Sequence, residues 1–362
     1  MVLPPELTLF LTSIVAWTAL YLIVSLSLNL EFGFTGIPNF GKALTVMGGA
    51  YVAGYLPGRI IVQLTGIGGG KDYIAYNAEI VREVNLFLSQ NLGYSVMIFA
   101  ATILLAAGVG AGLGFIAAYP AIRLREEYLA MSLLAMAEVG KVIGYNYKEL
   151  VGGTLGVQVP DPLASIEQGL LRFTLMSLII MGFAVAILLY LQRLVKSPLG
   201  RSLRAVRDSE LAAETLGKDV VRIKMKVLVL SSVLGAVGGA LHAFYTGGVI
   251  AISYDRVVWT FWPWVMVLMG GMANNIGTAL GVLIFVVVRQ LIIFYKDALA
   301  PFIPFDVVWL DYLLLGGVLI AILMLRPEGV LPEKPTYPLS KKIIREIRER
   351  VRARISSETL EE

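Results

Sequence analysis

Residues 196–226 set a charged segment between two long apolar runs, and the side chains there suit recognition more than catalysis. The segment holds eight basic residues, Lys196, Arg201, Arg204, Arg207, Lys218, Arg222, Lys224 and Lys226, interleaved with Glu210 and Glu214. A chain otherwise so apolar keeps a structured polar segment where something in the aqueous phase must grip it. Other ionisable groups are sparse. Glu138 and Lys141 lie three residues apart in an apolar stretch, so on a helix they share a face and can pair. Charges inside a membrane are costly and mark function by default. Two readings stand for this pair: a neutralised contact facing another subunit, and a station on a substrate path. His242, the one histidine, reads as a packing residue rather than a proton relay. With no cysteine, disulfides, thiolate metal sites and cysteine catalysis are excluded. No histidine cluster, paired-carboxylate site or nucleophile motif supports a membrane enzyme. Nor is there a Gly-x-x-x-x-Gly-Lys-Ser/Thr phosphate loop; Leu216-Gly217-Lys218-Asp219 lacks both the loop and the hydroxyl.

These groups must be carried by membrane-spanning helices. The 362 residues are 57% hydrophobic and 15% charged, where soluble domains have roughly 25% charged residues, and the mean hydropathy is +0.77. Uncharged runs cover 7–30, 84–122, 173–192, 227–254 and 257–288, each longer than the roughly 18 residues that a spanning helix needs. Nine spans are predicted, near 7–30, 43–64, 94–119, 128–146, 173–192, 227–250, 257–272, 276–295 and 307–325. The fold class is therefore an all-α polytopic membrane protein of about eight to ten helices. The span at 43–64 contains Gly48, Gly49, Gly54, Pro57, Gly58 and Arg59 and reads as a possible broken or re-entrant helix. The pair 257–272 and 276–295 is expected to hinge at 273–275.

Orientation follows from the basic residues. Placing 196–226 in the cytoplasm also puts the basic C-terminus there, four spans later, while the loops between carry little positive charge. Five spans before the segment put the N-terminus outside, unless 43–64 re-enters. The net charge of +4 sits beside spans, so anionic lipid rather than nucleic acid is the counterpart. Glycines at 108, 110, 112, 114, 235, 238, 239, 270, 271, 277 and 281 read as close helix packing. Trp259, Trp262 and Trp264 read as anchors at the outer interface, and Arg289 and Asp311 as residues near span ends that can snorkel. Residues 1–326 form the membrane domain, with its loop at 196–226. Residues 327–362 form a basic amphipathic tail, with Ile344, Ile347, Val351 and Ile355 as its apolar stripe. The tail reads as a membrane-surface helix, or less readily as a contact with a cytoplasmic subunit.

Within the charged segment, Ser197-Pro198 is a helix start, with a side-chain cap and proline in the first turn. Leu199, Leu203 and Val206 share one face, and Arg201, Arg204 and Arg207 project from the other. Asp208 or Ser209 can cap a second short helix over 210–216, which Gly217 ends. Two short helices with a turn between them make a knob for a partner's cleft. The alternative is an interfacial segment on anionic lipid, against which Glu210 and Glu214 argue.

This run, through Gly200, Arg201, Arg204, Ala205, Arg207, Glu210, Ala212, Ala213, Glu214 and Gly217, resembles the cytoplasmic coupling loop of branched-chain amino acid ABC-importer permeases. The resemblance covers nearly the whole chain. Asn29-Leu-Glu-Phe-Gly33-Phe-Thr-Gly36-Ile-Pro-Asn39-Phe-Gly41 with Gly49-Ala50-Tyr51 is similar to the family's early signature. Tyr119-Pro120-Ala-Ile-Arg123 and Glu138 resemble the LivM-type subunit, and Gly152-Gly153-Thr154-Leu-Gly156, Gly270-Gly271 and Arg326-Pro327-Glu328-Gly329 match further stations. Lys42 departs from the small residue or histidine usual there, and Val151 from threonine. The resemblance implies a permease subunit in the cell membrane that binds no cofactor. Two separate ATPase subunits use ATP and magnesium, a LivH-like second permease completes the pore, and an extracytoplasmic binding protein delivers substrate. Gly36, Asn39, Gly41, Glu138, Gly152 and Gly153 are the expected substrate-pathway residues. The competing class is an ion-coupled secondary transporter or channel for small polar solutes, for which Glu138 is the one deep carboxylate.

Overall fold

The computed structural model describes residues 5–166, 169–299 and 309–333, with positions 343, 345, 346 and 349. The chain divides into two compact units, Met1–Pro332 and Glu333–Glu362, and the fold below is that of the first. In the second, Arg345 pairs with Glu349 one helical turn on, at 3.2 Å; the predicted apolar stripe lies outside the described residues.

Among the described residues the first unit is helical apart from one antiparallel ribbon with two residues in each strand. Its long helices are α1 (Pro5–Thr35), α2 (Lys42–Thr65), α4 (Leu92–Arg123), α5 (Glu126–Asn146), α7 (Leu170–Lys196), α10 (Val220–Thr246) and α12 (Asn275–Phe294). Shorter ones are α3 (Asn77–Gln90), α6 (Lys148–Val151), α8 (Pro198–Asp208), α9 (Glu210–Thr215), α11 (Trp262–Gly270), α13 (Lys296–Leu299) and α14 (Trp309–Leu325). Strands β1 (Val157–Gln158) and β2 (Gly248–Val249) pair antiparallel. Among the described residues, six helices are long and apolar enough to cross a membrane. Helices α2, α11 and α14 occupy the other three predicted spans.

The loop between α7 and α10 marks one end of the bundle. Helix α1 ends there, where Arg207 reaches the carbonyl of Gly33, and α2 starts there, where Lys42 meets Ser231. Helix α12 also begins there, with Asn275 bonded to Asn29 of α1 and Gln192 of α7. Phe10 and Phe294 meet at the opposite end, 4.6 Å apart. The start of α1 thus lies at the end away from the 196–226 loop, as five spans before that loop require.

Helix α2 is not broken: it runs unbroken from Lys42 to Thr65 with Pro57 inside it. Its glycines are contact points rather than hinges. A Cβ on Gly49 would sit 1.8 Å from the carbonyl oxygen of Ala236, and one on Gly239 1.8 Å from that of Val46. Arg59 is accommodated near the far end, where it donates to the carbonyl of Glu149 at 2.7 Å and lies over the Tyr55 ring. Helix α4 packs on α10 the same way, through Gly110 and Gly114, while Gly108 and Gly112 face open space.

Two other expectations change. The uncharged run at 84–122 is divided at Asn91 between α3 and α4, because an amphipathic helix buries Ile80, Val84 and Leu88 against Ile61 and Ile98. The hinge at 273–275 is present, between α11 and α12, but α11 is preceded by a π-helical turn, Val257–Phe261.

Because the α2–α10 approach leaves no space for a methyl, Gly239→Ala should lower the unfolding free energy by about 1–3 kcal/mol through overpacking. Gly112→Ala, in open space, should be neutral or slightly stabilising on helix propensity. Thermal unfolding of the detergent-solubilised variants checks both.

Candidate coupling loop and intramembrane charges

The segment between α7 and α10 folds as the sequence suggests, with two adjustments. Ser197 occupies the N-cap position of α8, but its hydroxyl donates back to the carbonyl of Leu194 at 2.7 Å instead of accepting from α8. Ser209 does cap α9, accepting from the amide of Ala212 at 3.2 Å. Gly217 ends the unit with φ +77°, a conformation that glycine adopts without steric cost. Gly200 is required at the tight junction after α7, since a Cβ would meet the carbonyl of Val195 at 2.1 Å.

The apolar side of the knob is Leu203 and Val206 of α8 with Ala213 of α9 and Val220 of α10, all buried; Leu199, predicted on the same face, is exposed. Lys224 of α10 pairs with Glu210, tying the two limbs together. The second adjustment concerns the arginines. Arg201 is exposed as expected, but Arg207 turns inward, its Nη1 donating to the carbonyl of Gly33 at 2.8 Å. Arg204 lies 5.5 Å from the ring centre of Phe34. The outer surface instead carries Leu211 and Leu216, 73% and 79% exposed, beside exposed Ala212 and Glu214.

Glu138 pairs with Lys141 at 3.2 Å, as the spacing predicts, and also lies 3.6 Å from Arg256. Arg256, more than a hundred residues away in sequence, was expected in an outer loop; it reaches α5 from the turn that precedes the π-helical segment. The three side chains are about a quarter to a half exposed, and the helix that carries Glu138 and Lys141 also walls an apolar cleft through Met136, Val139, Gly140 and Ile143. That cleft, about 690 Å³, lies between α2, α4 and α5, with Met47, Tyr51 and Tyr55 opposite.

A second ion pair was not foreseen. Glu31 and Lys42 are both completely buried and 3.4 Å apart. The Lys42 ammonium also donates to the Ser231 carbonyl at 3.1 Å and to its hydroxyl, and that hydroxyl donates to the carbonyl of Ser27 at 2.7 Å. The signal in the sequence was weak: a single acid directly after a long apolar run, and a lysine eleven residues on. Only the fold places them face to face.

The expected pathway residues do not gather into one site. Gly36, with φ +78°, sits against Arg207, and a Cβ on Gly41 would strike the Leu133 carbonyl at 2.3 Å. Asn39 accepts from the amide of Gly41 at 2.8 Å and offers its own carbonyl to Trp264. These three form the elbow between α1 and α2 at the loop end. Gly152 and Gly153, both at positive φ, close α6 at the opposite end, and Glu138 lies along α5.

The aromatic anchors are also reassigned. Trp259, Trp262 and Trp264 are buried in protein; Trp264 stacks on Phe40 and Trp259 on Tyr254. Arg289 lies 4.2 Å from the ring centre of Trp262 and lines a cleft with Phe10 and Phe294 at the bundle end away from the 196–226 loop; the side chain of Asp311 is outside the described residues. His242 is a packing histidine, its Nδ1 2.9 Å from the Tyr254 hydroxyl and its ring edge-on to Trp259. No group of three metal-ligating side chains occurs among the described residues.

The model of the branched-chain amino acid transport system permease component family matches residues 10–323. The chain belongs to this family. A probable LivM permease of Methanocaldococcus jannaschii is 40% identical over 92% of this chain and 97% of its own length. The high-affinity LivM permeases of Salmonella typhimurium and Escherichia coli are 26% and 25% identical, covering 88% and 87% of this chain and 69% and 68% of theirs. No solved structure matches. The resemblance read from the coupling loop and the early glycine signature is therefore borne out at the level of the LivM-type family.

Within this permease fold, Ser209→Ala should cost about 1 kcal/mol of local helix stability. Faster amide hydrogen exchange over 210–215, with exchange in α10 unchanged, is the expected readout.

Proposed function

We propose that this chain is a permease subunit of an ATP-driven importer and supplies half of a translocation pathway for branched-chain or related amino acids. The observation that carries the reading is the α8–α9 knob. Its inner face is anchored on the spans through Arg207 and the Val206–Ala213–Val220 cluster, and its outer face presents Leu211 and Leu216. Such an element receives force from a partner, and the chain has no phosphate-binding loop to generate force itself. Two cytoplasmic ATPase subunits, using ATP and magnesium, would grip this knob; a LivH-like permease would complete the pore, and an extracytoplasmic binding protein would deliver substrate. The knob and the C-terminus would then be cytoplasmic, consistent with the positive residues around 196–226.

Helix α5 suits the pore-facing side. An amino acid needs both signs of charge and an apolar slot, and α5 carries Glu138 and Lys141 next to positions that wall the apolar cleft. Two partly exposed charges on a spanning helix, with Arg256 reaching them from another segment, belong against water or protein rather than lipid.

Co-reconstituted with these partners in vesicles, the chain should support uptake of leucine, isoleucine and valine that requires internal ATP and external binding protein. Uptake persisting without the ATPase subunits would overturn the reading in favour of an ion-coupled carrier. Replacing Leu211 and Leu216 together by serine should weaken co-purification of the ATPase by about tenfold or more, as expected when two exposed leucines are buried at an interface, with helix content unchanged by circular dichroism.

A further inference from the structure

The coupling helix α8 does not rest on the ends of many spans equally. Its inward arginines meet one short stretch, the elbow between α1 and α2: Arg207 bonds Gly33 and packs on Gly36, and Arg204 lies over Phe34. Within a turn or so of that stretch lies the buried Glu31–Lys42 pair, with 0% exposure on both side chains. From there Lys42 reaches across to α10 through two hydrogen bonds to Ser231, which in turn holds Ser27 of α1. The neighbouring amide of Ala43 bonds the Thr260 hydroxyl at 3.0 Å, and Trp264 bonds Asn39 at 3.0 Å. The elbow is thus bonded to the coupling helix on one side and to α10 and the α11 region on the other.

A buried ion pair is weak evidence for stability, because two desolvation penalties offset much of the attraction, and apolar replacement of both partners is often neutral. Its best-attested use is to fix one geometry among several. Lys42 is the first residue of α2, and α2 supplies Leu44, Met47 and Tyr51 to the apolar cleft. A movement of α8 that shifts Gly33 and Phe34 therefore arrives at the cleft wall through Lys42.

We infer that Lys42 is a positioning residue for transport, joining the elbow beneath the coupling helix to α2 and α10 so that motion of the knob is carried into the translocation pathway. The inference rests on the importer reading above. Lys42→Ala alone leaves Glu31 buried and uncompensated and invites misfolding, so the test uses the charge-neutral pair Lys42→Met with Glu31→Gln, and separately Ser231→Ala. Uptake and ATP hydrolysis are measured together in the reconstituted complex. Solutes moved per ATP hydrolysed should fall about tenfold in the double variant, within the range of coupling free energies, and less in Ser231→Ala, which retains the carbonyl acceptor. Subunit assembly and the hydrolysis rate should stay near wild type; a merely structural role would lower assembly and leave the ratio alone. An unchanged ratio in an assembled double variant overturns the inference, and if that variant does not assemble, an unchanged ratio in Ser231→Ala does so. Loss of ATP dependence in the wild type would instead overturn the importer reading, which keeps the two failures distinct.

Discussion

The crossing of α2 and α10 sets the positions of most other elements in the membrane unit. Gly49 approaches the backbone of Ala236 and Gly239 that of Val46, each closely enough to exclude a Cβ. In lipid there is little hydrophobic drive between helices, so close van der Waals contact between backbones and a few polar bonds must hold them together. Once these two helices touch along such a line, α4 can seat Gly110 and Gly114 on α10 beside α2, Gly110 meeting Ala236 as Gly49 does. The same crossing brings the first residue of α2 against Ser231. The buried Lys42–Glu31 pair is therefore a consequence of backbone approach as much as of charge attraction.

The knob at 196–226 inherits its rigidity from that arrangement. Its apolar residues rest on α10, its Glu210 is held by Lys224, and its Arg207 is bonded to the end of α1. Two of the three arginines that a helical wheel sends outward are used for this anchoring. The outward surface of the knob is more apolar than the charge pattern suggests, because Leu211 and Leu216 are exposed on it.

Spans and the coupling loop were legible because length, apolar runs and caps are local properties. Nine predicted spans correspond to helical segments, and Ser209 and Gly217 bound α9 as their chemistry requires. The errors share one cause. Trp259, Trp262 and Trp264 were given to the lipid interface and α2 was suspected of breaking, because composition does not tell a protein-facing apolar surface from a lipid-facing one. Glycine in α2 reads as flexibility when taken alone; in the fold Gly48, Gly49, Gly54 and Gly58 are points of contact with Leu113, Ala236, Val157 and Tyr73. Arg256 meets Glu138 across a separation that no local pattern spans.

By itself the sequence determined that the chain is a helical membrane protein and where its charged knob lies, and, having no cysteine, that it forms no disulfide. Those follow from residue type and short-range periodicity, which need no partner to be read. Only the tertiary structure decided that Glu31 and Lys42 neutralise one another out of reach of solvent, that Arg204 and Arg207 anchor the knob, and that Glu138 serves two cations. Each of these depends on which helix faces which, and that is fixed by packing between segments distant in the chain.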